Sequence, residues 1–253
     1  MSDLAGRHAV VTGGGTGVGA AIARTFADAG AQVTIMARRE EPLAALAHAH
    51  SRIDYRTCDV TEEDAVKAAF AAARADHGPV GIVIANAGEA VSKPFAAMEA
   101  IDLDVMLAVN VTGVFNAFKA ALSEMKQAQW GRMIAIASTA GLKGYPYVSG
   151  YCAAKHGVIG LVRALAVELG RTGITANAIC PGFVETPMLE RSVANIVEKT
   201  GMSADEARKT LKAGNPQGRF IQPDEVAEAA LWLAGDRAAS VNGHALSVAG
   251  GEV

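Results

Sequence analysis

Only three of the 253 residues are cysteine, and Cys58, Cys152 and Cys180 share no metal-like spacing. So few thiols, odd in number, argue against a disulfide framework and predict reduced cysteines in a cytoplasmic setting. The six histidines form no H-E-x-x-H or comparable ligand set, so no metal site is expected. Aromatic residues are 5% of the chain, too few for an aromatic-lined barrel, whereas abundant Ala and Gly suit close packing of helices on a sheet. No charge of one sign dominates: 23 Lys and Arg against 26 Asp and Glu leave −3, which points away from nucleic acid and from a membrane surface. No uninterrupted apolar run reaches about 18 residues. The opening M-S-D-L-A-G-R-H lacks an apolar signal segment, and the expectation is a soluble, cytoplasmic protein.

What the chain does have is a regular alternation. His8–Thr12, Gln32–Ala37, Ile53–Thr57, Val80–Asn86, Arg132–Ser138, Ile174–Cys180 and Ala245–Val248 read as strands. Several are apolar almost throughout, as strands covered on both faces must be. Between them lie helical patterns at Val18–Ala29, Glu41–His50, Glu62–Asp76, Asp102–Gln127 and Gly150–Leu169, and Pro223 with Gly235 brackets another. Thr61 reads as the N-cap before Glu62. Repeated βα units predict an α/β fold, a doubly wound parallel sheet of about seven strands with helices on both sides. Without repeats or a linker, residues 1–253 read as one domain. From Phe183 to about Asn215 two short helices replace the next βα unit. They follow a strand tip, where open α/β sheets bind ligands, and read as a small lid over about 183–215 with Gly182 and Gly214 as hinges.

After the first strand comes T-G-G-G-T-G-V-G, which opens directly into a helix. Gly13, Gly15, Thr16, Gly17, Val18 and Gly19 would let the backbone approach a pyrophosphate beside free N–H groups and a favourable helix dipole. The spacing G-x-x-x-G-x-G differs from the common G-x-G-x-x-G. At the second strand's tip, where an acid would bind a ribose 2′-hydroxyl, stand Arg38 and Arg39. An arginine fork suits a 2′-phosphate, so NADP is favoured with NAD possible; the plainer alternative is two solvated arginines.

Tyr151 and Lys155 are four residues apart in a helical segment and so share a face, with Cβ atoms about 5–6 Å apart. A free phenol, with a pKa of about 10, is a poor proton donor or acceptor at neutral pH. An ammonium about 5 Å away at an effective dielectric of about 20 favours the phenolate by roughly 3 kcal/mol. That would bring the phenol towards about 8, in reach of general acid–base work. Ser138, at a strand tip, would hold a carbonyl oxygen while Tyr151 protonates it. Alone, Y-x-x-x-K is also a common surface pairing.

Taken together, these pieces resemble the short-chain dehydrogenase/reductase family over nearly the whole chain. The matching residues are T-G-G-G-T-G-V-G (12–19), D-V (59–60), N-A-G (86–88), Asn110, Ser138, Y-x-x-x-K (151–155) and P-G (181–182) with Thr186. The resemblance implies a Rossmann-type fold and assigns roles. Tyr151 is the acid/base, Ser138 orients the carbonyl, and Lys155 lowers the tyrosine and holds the nicotinamide ribose. Asn110 anchors a water linking Lys155 to solvent. Asp59 and Val60 flank the adenine, while Asn86, Ala87 and Gly88 support the sheet and ribose. Pro181 and Gly182 lead to Val184 and Thr186, which fix the carboxamide. It also implies a homotetramer, with the Gly150–Leu169 helix and the C-terminal A-G-G-E-V at interfaces.

Within the family, residues 171–188 and A-R-R-E-E (37–41) are similar to aromatic-polyketide ketoreductases, which use NADPH, and the layout is similar to 3-oxoacyl-(acyl-carrier-protein) reductases. The P-G-G motif of the former is missing after Gly88. Of two basic positions that fatty-acid reductases offer a carrier protein, Arg132 matches and Thr172 does not. Leu142, Tyr145, Val148, Phe183, Met188 and Leu189 would make an apolar substrate wall, with Lys143 and Lys93 at its mouth for a CoA phosphate, or simply solvating their loops. The expected reaction interconverts a ketone and a secondary alcohol, on a 3-oxoacyl thioester or small ketone. The alternatives are an NAD-dependent secondary-alcohol or aryl-ketone dehydrogenase and, remotely, a non-catalytic dinucleotide sensor.

Overall fold

Seven parallel strands lie in the order β3-β2-β1-β4-β5-β6-β7 in the structure, a computed structural model that describes residues 4–253. They are β1 (His8–Thr12), β2 (Gln32–Ala37), β3 (Ile53–Thr57), β4 (Ile82–Ala85), β5 (Gly131–Ile136), β6 (Ile174–Pro181) and β7 (Ala245–Val248). The strand order reverses between β1 and β4, which opens a crevice at their C-terminal ends.

The apolar character of the strands follows from their two-sided burial. Successive side chains point to opposite faces, so Ala9 and Val11 enter one core and Val10 the other. Likewise Ile82, Ile84, Ile134 and Ile136 face one side, and Val83, Ala85, Met133 and Ala135 the other. Helices α1 (Gly17–Asp28), α2 (Glu40–Ala49) and α9 (Pro223–Ala234) cover the first face. The second is covered by α3 (Glu63–His77), α5 (Gly113–Ala128) and α6 (Ser149–Leu169). Each fully buried Ile or Val on these strands contributes about 1.5–3 kcal/mol through removal from water.

Three expectations need correction. Thr61 does not cap α3: its hydroxyl and amide both turn back to Asp59 Oδ1, at 2.8 and 3.0 Å, and Glu62 holds the N-cap position. The helix expected over Asp102–Gln127 is two helices, α4 (Ala100–Leu107) and α5, joined by a π-helical turn at Ala108–Thr112. Such a turn loosens the i→i−4 ladder, and the amide nitrogen of Asn110 donates to the Met106 carbonyl at 3.0 Å. Finally, although no uninterrupted apolar run is that long, the joined stretch Ala100–Ala128 is long and apolar enough to cross a membrane by length and composition. Its inward side, with Val114, Phe118, Ala121 and Met125, is part of the second core.

The two short helices expected after Phe183, read there as a lid, are α7 (Pro187–Thr200) and α8 (Ala204–Lys212), which pack on a small core of Leu189, Val193, Ala207 and Phe220. The root of the pair is closed by a parallel bridge between Val184 and Ile221, with Glu185 N–H donating to Ile221 O at 2.9 Å and Ile221 N–H to Phe183 O at 2.9 Å. The excursion therefore begins and ends at one point beside the β6 tip.

Candidate active site

The glycine-rich turn occupies the crevice between β1 and α1. Gly13 and Gly17 adopt positive φ, 64° and 55°. A Cβ on Gly13 would stand 2.8 Å from the Asn86 amide nitrogen, so glycine is required where the turn meets β4. That amide donates to Thr12 O and Gly13 O at 3.0 and 3.1 Å, while Thr12 Oγ1 accepts from the Asn86 and Ala87 N–H groups, both at 3.1 Å. Asn86 and Ala87 thus brace the turn from the neighbouring strand. Thr12, the residue that receives these bonds, lies inside the motif but has no role among the sequence expectations.

Several observations fit a dinucleotide. The first turn of α1 carries no acidic residue and its N-cap, Thr16, makes no side-chain cap bond, so the helix's N–H groups stay available to a phosphate. Arg38 and Arg39 are exposed at the β2 tip, with no hydrogen bond or ion pair to another side chain among the described residues. Arg38 does help to hold Asp59 below the ordinary carboxylate range, after the Thr61 backbone hydrogen bond as the larger cause. Val60 is buried against Gly113, and Asn116 Nδ2 donates to Val60 O at 2.9 Å. Gly15, Val18 and Gly19 belong to the same turn and helix start, and Gly17 lies against Thr186 at the start of α7. Pro181 ends β6, and Gly182 N–H donates to Val248 O at 3.1 Å. Val184 O accepts from the Thr186 hydroxyl at 3.2 Å. Gly17, Thr186 and Val184 therefore lie side by side, while Gly15 faces Pro42 and Leu43 of α2.

The catalytic candidates converge at the same end of the sheet. Ser138 follows β5 in extended conformation, and its Oγ accepts from Ala140 N–H at 3.1 Å. Lys155 projects from α6 and is 3% exposed; its Nζ donates to Ile136 O at 2.9 Å, two residues before Ser138. The same Nζ stands 5.6 Å from the Tyr151 ring centroid. Asn110 is fully buried, with Nδ2 also donating to Glu89 O at 2.9 Å. Gly88 joins the set: a Cβ there would be 2.8 Å from Asn110 Oδ1 and 3.5 Å from Lys155 Nζ. Gly88, the Ile136 carbonyl and the Tyr151 ring, from three separate segments, thus lie around one buried ammonium.

The electrostatics differ from the simple pairwise expectation. Burial pushes the Tyr151 phenol up to about 12, with the Ser138 side chain pulling it back. Burial also pushes the Lys155 ammonium down to about 8. Desolvation is the dominant cause of both shifts, and the ammonium donates one of its three N–H groups to Ile136 O. At neutral pH the Tyr151 phenol is therefore protonated, beside a lysine that is still mostly charged.

The expected substrate wall is partly rearranged. Tyr145 packs edge-on to Phe183, with ring centroids 6.4 Å apart, and its hydroxyl bonds Thr139 Oγ1 at 2.7 Å and Glu252 Oε1 at 2.5 Å. Leu142 packs on the second core, Val148 precedes α6, and Met188 is half-buried in the first turn of α7. Leu189 instead lies inside the lid's own core. Neither lysine at the mouth is free: Lys143 pairs with Glu252 at 3.1 Å and Lys93 with Asp102 at 2.7 Å. Arg132, the basic position that matched, is engaged within the chain. It sits at the N-terminal end of β5, about 20 Å along the chain from Ser138, buried between Trp130, 4.5 Å away, and Asp236, 3.4 Å away. Among the described residues, no group of three or more His, Cys, Asp or Glu side chains is placed to hold a metal.

A parallel sheet of this order, with a glycine turn after β1 and Ser138, Tyr151 and Lys155 at its open end, defines a dinucleotide-dependent oxidoreductase. The sequence pattern of short chain dehydrogenases matches residues 7–196, and the chain belongs to that family. It is 41% identical over 250 residues to a Streptomyces coelicolor protein named "Putative ketoacyl reductase", covering 96% of this chain and 95% of that one. It is 35% identical over 258 residues to D-beta-hydroxybutyrate dehydrogenase of Cupriavidus necator, covering 99% of each. Among solved structures, a variant of actinorhodin polyketide ketoreductase with NADPH superposes with a TM-score of 0.95 at 38% identity, covering 100% of this chain and 99% of that one. The protein is an oxidoreductase acting on a ketone/alcohol pair.

Proposed function

We propose that this protein reduces a ketone to a secondary alcohol with NADPH, on a 3-oxoacyl thioester or a related apolar ketone. The observation that carries the reading is the convergence of Ser138, Tyr151, Lys155 and Asn110 at the sheet's open end, beside the glycine turn. The dinucleotide, when bound, supplies the hydride. The chain's own residues manage the oxygen and its proton: Ser138 Oγ–H donates to the carbonyl oxygen, and Tyr151, neutral at pH 7, delivers a proton to it. Lys155 steadies the phenolate left behind, and Asn110 holds the Glu89 carbonyl beside Gly88 and keeps the π-turn open. Arg38 and Arg39 would take the 2′-phosphate, which supports NADPH over NADH, as does the solved relative with NADPH.

The engagement of Lys93, Lys143 and Arg132 favours a substrate that arrives without a carrier protein. A second reading, oxidation of a secondary alcohol with NAD, is supported by relatives named D-beta-hydroxybutyrate dehydrogenase and cis-4-hydroxycyclohexanecarboxylate dehydrogenase. Initial rates with acetoacetyl-CoA, acetophenone and cyclohexanone, each with NADPH and NADH, separate the two. Reduction of none of them overturns the first reading.

We also propose a homotetramer. Exposed apolar residues mark two faces: Phe115 with Val167 on α5 and α6, and Trp232 with Val253 near the C-terminus. The small, exposed Ala153, Gly157 and Gly160 on α6 would let a partner helix approach closely. Sedimentation showing only monomer would remove this. The free thiols at Cys58, Cys152 and Cys180 support a reducing, cytoplasmic location.

A further inference from the structure

The penultimate residue lies next to the catalytic loop. Gly250 and Gly251, at φ 64° and 92°, turn the chain back beneath the lid. Gly250 packs on Asn215 and Gly251 on Pro216, just beyond α8. This places the Glu252 side chain, 3% exposed, in a closed position between three parts of the site. Its Oε1 accepts from Tyr145 O–H at 2.5 Å and pairs with Lys143 Nζ at 3.1 Å; the same Nζ reaches the Glu252 backbone oxygen at 3.3 Å. A Cβ on Gly182 would stand 3.1 Å from Oε2, and one on Gly214 would stand 2.9 Å from Oε1. One carboxylate therefore touches the loop after Ser138 and both of the glycines that flank the lid.

The polarity of these bonds has a consequence. A carboxylate only accepts, so Tyr145 must donate to it and in turn accept from the Thr139 hydroxyl, 2.7 Å away. The chain Thr139 to Tyr145 to Glu252 then has a single direction. The Tyr145 hydroxyl is thereby committed to Thr139 and Glu252, and its ring is presented against Phe183. Burial holds Tyr145 well above the ordinary phenol range, so this donor persists through the working pH range.

We propose that Glu252 is a positioning residue for ketone binding: through Tyr145 and the two lid roots it sets the wall opposite Ser138 and the closed pose of α7 and α8. The proposal rests on the reaction proposed above. It predicts a larger effect on the ketone than on the dinucleotide, because Glu252 reaches the expected dinucleotide site at Gly182 alone and touches neither the glycine turn nor Arg38.

The test compares Glu252→Ala, Glu252→Gln, Tyr145→Phe and the Glu252→Ala/Tyr145→Phe double variant in the full-length protein. Loss of a hydrogen bond to a charged group predicts a rise of about 10–100-fold in KM for acetoacetyl-CoA in Glu252→Ala, with KM for NADPH within about two-fold. Glu252→Gln should recover most of that, since its carboxamide oxygen still accepts from Tyr145, and the double variant should be no worse than Glu252→Ala. Unchanged ketone KM, the two KM values rising in step, or additive single effects would overturn the proposal. Hydrogen exchange needs no substrate: amides of 183–215 and 142–148 should exchange faster in Glu252→Ala, or in Glu252→Gln if the alanine variant does not fold, while β1 is unchanged. Unaltered exchange in both segments also overturns it. If the parent turns over no ketone, the reaction reading fails and exchange alone decides Glu252.

Discussion

Gly88 and Asn110 are in contact through space that no side chain can share: a methyl group on Gly88 would lie 2.8 Å from the Asn110 amide oxygen. That oxygen also receives Glu89 N–H at 3.4 Å, so the loop after β4 and the π-turn are fastened together directly over Lys155. Gly88→Ala should push the loop off Asn110 and cost about 1–3 kcal/mol of stability, and kcat should fall while the folded circular-dichroism spectrum remains. A variant with parental kcat and Tm would show the contact to be slack.

Tyr151→Phe removes the only proton donor proposed at the carbonyl oxygen. General acid–base catalysis of this kind contributes about 10²–10⁴-fold, and kcat should drop by that order with NADPH binding, followed by fluorescence titration, preserved. Retained turnover would place the acid elsewhere.

The pH profile should follow the shifted groups. Tyr151, pushed up to about 12, stays protonated through neutral pH and is ready to donate. Lys155, pushed down to about 8, loses its charge as pH rises past that value. Ketone reduction measured under saturating NADPH should therefore decline above about pH 8, and the decline should disappear in Lys155→Met, whose residual rate is low throughout.

Cofactor choice should reside at the β2 tip. Exchanging both Arg38 and Arg39 for alanine removes charge-assisted bonds of about 1.5–3 kcal/mol each, so NADPH affinity should fall by at least about ten-fold while NADH affinity changes little. Isothermal titration with each dinucleotide checks this, and equal losses for both would contradict it.

His8, buried at the start of β1, donates from Nδ1 to Gly78 O at 2.9 Å, and in the neutral ring Nε2 accepts from Thr34 Oγ1 at 3.0 Å, with the His77 ring 5.5 Å away. Burial holds its pKa below the ordinary 6.5. The unfolded chain therefore binds a proton at higher pH than the folded one, and stability is lost as pH falls below about 6.5. Asp54, held low although burial opposes it, by His77 and the Tyr55 backbone amide, gives way only in stronger acid. Thermal melts between pH 8 and 5 should show Tm falling, and less steeply in His8→Gln.

The alternation of strands and helices was legible because each signal is local. A strand buried on both faces must be apolar along its length, and a helix that covers it must repeat at 3.6 residues. For the same reason Tyr151 and Lys155 could be paired from spacing alone, and the glycine turn from its place between strand and helix. The π-turn left no such trace: Asp102–Gln127 carries an unbroken helical pattern, and the bulge at Asn110 shows only in the fold.

What the amino-acid order determined on its own was therefore the sheet, the covering helices, the break in the pattern after β6, and the set of catalytic candidates. Only the tertiary structure decided their state. It buried Lys155 and half-buried Tyr151, so that desolvation dominates both shifts, and it committed Arg132 to Trp130 and Asp236. It also carried Glu252 more than a hundred positions back to Tyr145. Periodicity and capping act within a turn or two of chain, whereas burial and long-range pairing exist only once the layers have closed.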